Sequence, residues 1–157
     1  MKMNAEHMGF LVKSTQETFS TMLGLNAQMD NMLASETEAL NSSAVSGIIG
    51  LSGDVQGVVI IKFPLQTCLA VVTRLIGEKA TKIDDDVTDA IGEITNIIVG
   101  NAKKYLNGLN VSISLPTVVE GSDYIVHLSK DTPAVCASLS SDAGEFYIKI
   151  STKLTGE

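Results

Sequence analysis

Tryptophan is absent from this chain of 157 residues, and only four Phe and three Tyr supply large aromatic rings. The core must therefore be built mainly from aliphatic side chains. Basic residues are also scarce, because 11 Lys and Arg stand against 18 Asp and Glu and give a net charge of −7. Phosphate contacts need clustered Lys and Arg, so this balance argues against a nucleic-acid partner and against an anionic membrane surface.

The chain has only two cysteines, Cys68 and Cys136, and neither belongs to a C-x-x-C pair. Both lie in apolar runs, which predicts buried, reduced thiols. No run approaches the ~18 uninterrupted apolar residues of a membrane span, and residues 1–13 lack the apolar stretch of a signal peptide. We therefore expect a soluble, cytoplasmic protein that forms a single domain over residues 1–157.

Several familiar catalytic motifs are missing as well. The sequence has no glycine-rich phosphate loop and no G-x-S-x-G nucleophile turn. His7 and His127 are far apart and lack neighbouring Cys or His, so no metal site is predicted. The acidic run 84–86 is better explained as the start of a helix than as a cation site, because acids suit the N-cap and the helix dipole.

Local patterns predict helices and strands in separate groups. We expect helices over 4–24, 65–76 and 84–106, a β-hairpin over 44–63 with a central second strand, and further strands over 109–119, 124–128, 134–139 and 145–151. Pro116 interrupts the strand after the last helix, which indicates a sheet edge or a bulge. Segment 26–43 is rich in Met and Ala with scattered acids, and its pattern is compatible with a strand and loop or with a short helix. The predicted fold is α+β, in two layers, with the helices on one face of a largely antiparallel sheet.

The helix around 89–105 is two-faced at helical spacing. One side carries Ile91, Ile94, Ile98, Ala102 and Tyr105. The other side carries Asp89, Glu93, Asn96 and Gly100, at i, i+4, i+7 and i+11. Glycine inside a helix costs about 1 kcal/mol relative to alanine, and one reason to keep it is close approach by another surface. The polar side is predicted to be a contact face.

Two of these residues have useful chemistry. The carboxylate of Glu93 can pair with a partner's Lys or Arg, while the carboxamide of Asn96 cannot ionise but can orient a water. Hydrolysis of a phosphoryl group depends largely on such positioning. An ordinary solvated face remains the alternative at this point. A second E-x-x-N, Glu38 to Asn41, is less helical and is interpreted as chance.

The stretch from Asp89 to Lys103 resembles the signature of the CheC/CheX/FliY phosphatases of bacterial chemotaxis. Ile113-Ser-Leu-Pro116-Thr-Val-Val-Glu-Gly121 and the hairpin turn Gly53-Asp-Val-Gln-Gly57 resemble the CheX branch in particular. The resemblance spans about residues 43 to 152. The family pattern places its proline farther beyond the asparagine than Pro116 lies here, so Pro116 is taken as the equivalent, with a shorter loop.

The resemblance implies hydrolysis of the aspartyl phosphate on the response regulator CheY. Glu93 would match the acid that pairs with the regulator's active-site lysine, and Asn96 the amide that positions the water. Asp89 would be a supporting contact. The Mg²⁺ would belong to the partner receiver domain, so no metal or cofactor is expected in this chain.

The resemblance also implies a homodimer formed through the sheet, which fits an exposed edge strand that soluble proteins usually pair or block. The alternative function is a module that binds a receiver domain or a flagellar-switch component through the same helix without catalysis.

Overall fold

The computed structural model describes residues 2–33, 44–121 and 134–156, and side chains from Ala5 onward. Helix α1 spans Lys2–Thr18 and continues as a π-helical turn, Phe19–Leu23, which ends at Gly24 in the left-handed conformation. The predicted helix over 4–24 is thus confirmed. In the described part of the chain, no helix is long and apolar enough to cross a membrane.

The remaining elements follow in two groups. The first group is β1 (Ala27–Leu33), β2 (Val45–Gly53), β3 (Val55–Phe63), α2 (Leu65–Ile76) and α3 (Asp85–Ala102). A 3-10 turn (Lys103–Tyr105) then leads to β4 (Val111–Ile113), β5 (Thr117–Glu120), β6 (Val135–Ser141) and β7 (Gly144–Leu154).

Within the described residues, all strand pairs are antiparallel and form one sheet in the order β1-β6-β7-β3-β2-β4, with β5 also paired to β2. The predicted hairpin is present, with Val45 opposite Phe63, and β3 lies at the centre. The predicted strand 109–119 is divided at Pro116 into β4 and β5, which both lie along β2 at the sheet edge.

Of the two alternatives for segment 26–43, the structure shows the strand, since Ala27–Leu33 forms the opposite edge strand β1. The remaining residues of this segment, 34–43, and the predicted strand 124–128 lie outside the described residues, as do His127 and the second E-x-x-N.

The core lies between the helices and one face of the sheet. Its strand side includes Ile49, Val59, Ile61, Phe146 and Ile148, and the helices contribute Leu11, Phe19, Val71, Ile91, Ile94 and Ile98. Phe146 stacks between Phe19 and Phe63, with ring centroids 5.0 and 5.6 Å apart. The α+β arrangement with helices on one face of the sheet is therefore confirmed, and both cysteines are buried as predicted.

Candidate functional site

Helix α3 carries the predicted site, and its start and orientation follow from its sequence. The Asp84 side chain accepts a hydrogen bond of 3.0 Å from the Val87 N–H and caps the helix. Asp85 and Asp86 occupy the first turn, where the helix dipole favours acids. The acidic run is thus a helix start, as predicted.

The apolar side of α3 packs on the sheet. Ile91, Ile94 and Ile98 are fully buried, and Ala102 is nearly so. Tyr105 departs from the prediction because it lies in the 3-10 turn and is only half-buried. It stacks on Phe10 of α1 at 5.8 Å and hydrogen-bonds Glu17, so it joins α3 to α1 rather than to the sheet.

The opposite side of α3 presents the predicted polar groups. Asp89, Glu93 and Asn96 are exposed, while Gly100 is half-buried. Within 2–33, 44–121 and 134–156, none of the three polar side chains forms a hydrogen bond or an ion pair. Asn96 lies about 4.5 Å beyond Glu93 along the helix axis, so one partner surface can reach both. These three side chains are therefore available to bind a partner protein.

The charged side chains of α3 all have the same sign. Helix α3 contains Asp85, Asp86, Asp89 and Glu93, and no Lys or Arg. All the charged side chains that this helix offers to a cationic group of a partner are therefore acidic. Among the described residues, no three His, Cys, Asp or Glu side chains gather as metal ligands.

Glycine marks two places where the helix closely approaches the sheet. A Cβ atom placed on Gly92 would lie 3.3 Å from Cγ2 of Val118 and 3.6 Å from Cγ of Pro116. A Cβ on Gly47 of β2 would lie only 2.1 Å from Oγ1 of Thr95, which is fully buried. These contacts fix the height of α3 above β2 and its lateral position against β5.

The sequence singled out Gly100 as a point of close approach, and approach of a partner surface to Gly100 stays a prediction. Gly100 faces Ile113, with 3.9 Å between a placed Cβ and Cδ1, which is ordinary van der Waals contact. The tight contacts inside the fold are those of Gly92 and Gly47. The position of Gly92 inside the Asp89-x-x-x-Glu93 motif could have indicated its close contact from sequence. Nothing in the local sequence pattern pairs Gly47 with Thr95.

His7, one of the two histidines, is a buried residue of α1, with its Nδ1 2.7 Å from Oγ1 of Thr152. It takes no part in the α3 face. Burial raises the pKa of the Cys68 thiol to about 11, so this cysteine is a core group and not a nucleophile.

Comparison with known proteins agrees with the motif. The profile of the family described as chemotaxis phosphatase CheX matches residues 45–140. The CheY-P phosphatase CheX of Thermotoga maritima is 31% identical over 124 residues, which cover 77% of this chain and 79% of that protein.

Solved structures show the same fold. The chemotaxis protein CheX of Vibrio vulnificus superposes with a TM-score of 0.83 at 26% identity, over 94% of this chain and 99% of the other. A CheX of Borrelia burgdorferi, solved as a CheX–CheY–BeF3–Mg²⁺ complex, superposes at 0.77 with 24% identity, over 94% and 97%. The chain belongs to the CheX family of chemotaxis phosphatases.

Proposed function

We propose that this protein hydrolyses the aspartyl phosphate of a CheY-like receiver domain. The observation that carries the proposal is the Glu93–Asn96 pair, which is exposed on one helix and forms no hydrogen bond or ion pair with other described residues. Family membership supports the reaction class, and the Thermotoga relative is named as a CheY-P phosphatase. The Borrelia complex supports a receiver domain as the partner.

In the proposed reaction, the carboxamide of Asn96 enters the phosphorylated site and orients a water in line with the phosphorus–oxygen bond. The water oxygen bonds to phosphorus as the bond to the aspartyl oxygen breaks. The products are a free aspartate carboxylate and inorganic phosphate. One proton of the water stays on the oxygen that is now bonded to phosphorus, and the other passes to the phosphate or to solvent. Asn96 positions the water and does not transfer a proton, because its carboxamide does not ionise.

Glu93 orients the partner in this proposal. Its carboxylate pairs with a cationic side chain of the receiver site, with Asp89 one turn earlier as a supporting contact. An exposed pair of this kind contributes about 0–1 kcal/mol and weakens with salt. The Mg²⁺ that neutralises the phosphoryl group belongs to the partner. The carboxylates of α3 are therefore not metal ligands in this proposal, and they pair with cationic side chains of the partner.

We also propose a homodimer formed through a sheet edge, in the cytoplasm. Within the described residues, β1 pairs only with β6, and its other edge is open. Met29 and Met32 of this strand are 41% and 43% exposed. Pairing of β1 with a second copy would cover part of this apolar surface and the open strand edge. Light scattering at micromolar concentration tests this, and a monomeric mass would contradict it.

The experiment that tests the function follows phosphate loss from a phosphorylated CheY with and without the protein. Catalytic amounts should shorten the phosphate lifetime and release inorganic phosphate over many turnovers. A receiver that binds this protein but loses phosphate at its own rate would instead identify a binding module.

A further inference from the structure

Leu115 is the most exposed large apolar side chain in the described part of the protein. It is 87% exposed, whereas the other exposed large apolar side chains range from 37% to 44%. Single exposed leucines are common on protein surfaces and need no explanation by themselves. The position and the rigidity of Leu115 distinguish it.

The chain on either side of Leu115 is firmly held. The Ser114 N–H donates to the Gly50 carbonyl at 2.9 Å, and the Gly50 N–H donates to Oγ of Ser114 at 2.9 Å. The same hydroxyl donates to the Leu115 carbonyl at 3.0 Å. Pro116 follows and restricts the backbone further. Leu115 is thus displayed toward solvent by a segment with little freedom of its own.

This segment runs beside the proposed catalytic row. Gly92, Asn96 and Gly100 are spaced at i, i+4 and i+8, so they lie in one line along α3. Ile113 is next to Gly100, and Pro116 is next to Gly92. The residues between them, Ser114 and Leu115, therefore lie alongside the turn that carries Asn96.

From this arrangement we infer that Leu115 is a docking residue for the phosphorylated receiver domain and inserts into an apolar recess beside the phosphorylation site. The inference rests on the proposed function. The polar face alone gives weak binding, because exposed ion pairs contribute little. An apolar side chain fixed at the edge of that face adds binding free energy, because the contact removes its surface from water.

The test compares steady-state dephosphorylation of a CheY-type receiver by the wild type, Leu115→Ser and Leu115→Met. Leu115→Ser should raise KM by about tenfold with kcat unchanged, which is the size expected for loss of an interface anchor. Leu115→Met keeps the apolar area and should restore KM to within about twofold of wild type.

Leu109→Ser is the matched control. Leu109 is 37% exposed and lies beyond the C-terminal end of α3, so its KM should match that of wild type. An unchanged KM in Leu115→Ser, or a loss confined to kcat, would overturn the docking role.

Failure of the proposed function gives a different result, because the wild type itself would then leave the phosphate lifetime unchanged. Binding to the receiver loaded with BeF3 and Mg²⁺ tests docking independently of hydrolysis. Weaker binding of Leu115→Ser than of Leu109→Ser supports the inference even then, and equal binding by the two variants overturns it.

Discussion

Gly92 of α3 lies directly against Pro116, so that a methyl group on the glycine would come within 3.6 Å of the proline ring. This contact joins the two parts of the sequence signature, which are separated by the whole second half of the helix and by β4. It holds the helix at a fixed position beside the β4–β5 segment. The backbone at Asn96, one turn further along, is therefore held in a fixed position, which the proposed positioning of a water by this residue would require.

The contact between Gly47 and Thr95 should be the least tolerant of added volume. Gly47→Ala places a methyl 2.1 Å from a buried hydroxyl, so helix and strand must separate. We expect a loss of about 1–3 kcal/mol in the free energy of unfolding by urea denaturation, together with reduced turnover. Gly50→Ala on the same strand is the control, because its nearest contact would be 3.7 Å away and the expected change is within about 0.5 kcal/mol. Equal losses would show that the close approach does not constrain the helix.

Gly100→Ala should raise the stability of the fold and weaken binding of the receiver at the same time. The added methyl makes only an ordinary contact 3.9 Å from Ile113, so the gain in helix propensity should raise the free energy of unfolding by about 0.5–1 kcal/mol. KM for the phosphorylated receiver should nevertheless rise if the partner surface approaches this glycine, as the sequence predicts. Gly92→Ala should stabilise less, since Val118 must move. A stabilised Gly100→Ala enzyme with unchanged KM would remove Gly100 from the interface.

Glu93→Gln tests the ion pair with the receiver. Removal of the charge should raise KM about two- to fivefold and flatten its dependence on ionic strength, because an exposed pair contributes up to about 1 kcal/mol. Glu78→Gln makes the same change in net charge outside the α3 face and should leave both quantities unchanged. If the two variants respond to salt alike, the effect of Glu93 is one of overall charge and not of a specific contact.

The sequence predicted the fold class, the helix starts and both sides of α3, because these depend on periodicity and capping within one segment. It did not decide between a strand and a short helix for the Met- and Ala-rich segment that forms β1, because the strand depends on pairing with β6. The role of Gly92 and the rigidity of Leu115 were also missed. Both depend on contacts between α3, β2 and the β4–β5 segment, which no local pattern encodes.

A pH-dependent contribution to stability should come from the link between α1 and the end of α3. The hydrogen bond from Lys104 to Glu17, 2.7 Å long, and then that from Tyr105, lower the pKa of Glu17. A lowered pKa in the folded state means that the contribution is present above the unfolded value of about 4.3 and is lost as pH falls through the folded value. The difference in Tm between wild type and Glu17→Gln should therefore be positive at pH 7 and should decrease as pH falls below the unfolded value.

Glu6→Gln, which changes an exposed glutamate of the same helix, should show no such pH-dependent difference. A difference for Glu17→Gln that persists unchanged at pH 3 would attribute the effect to packing of the side chain and not to its charge.

The most direct test of the central claim is the decay of phosphorylated CheY in the presence of Asn96→Ala, with Asn101→Ala as the control. Both residues are exposed asparagines on α3, but Asn101 lies outside the row that contains Asn96. The account predicts that Asn96→Ala binds the receiver with near-normal affinity yet loses at least about 100-fold in kcat, as expected when a positioning group is removed. Asn101→Ala should retain wild-type turnover. Near-normal hydrolysis by Asn96→Ala would contradict the proposed mechanism.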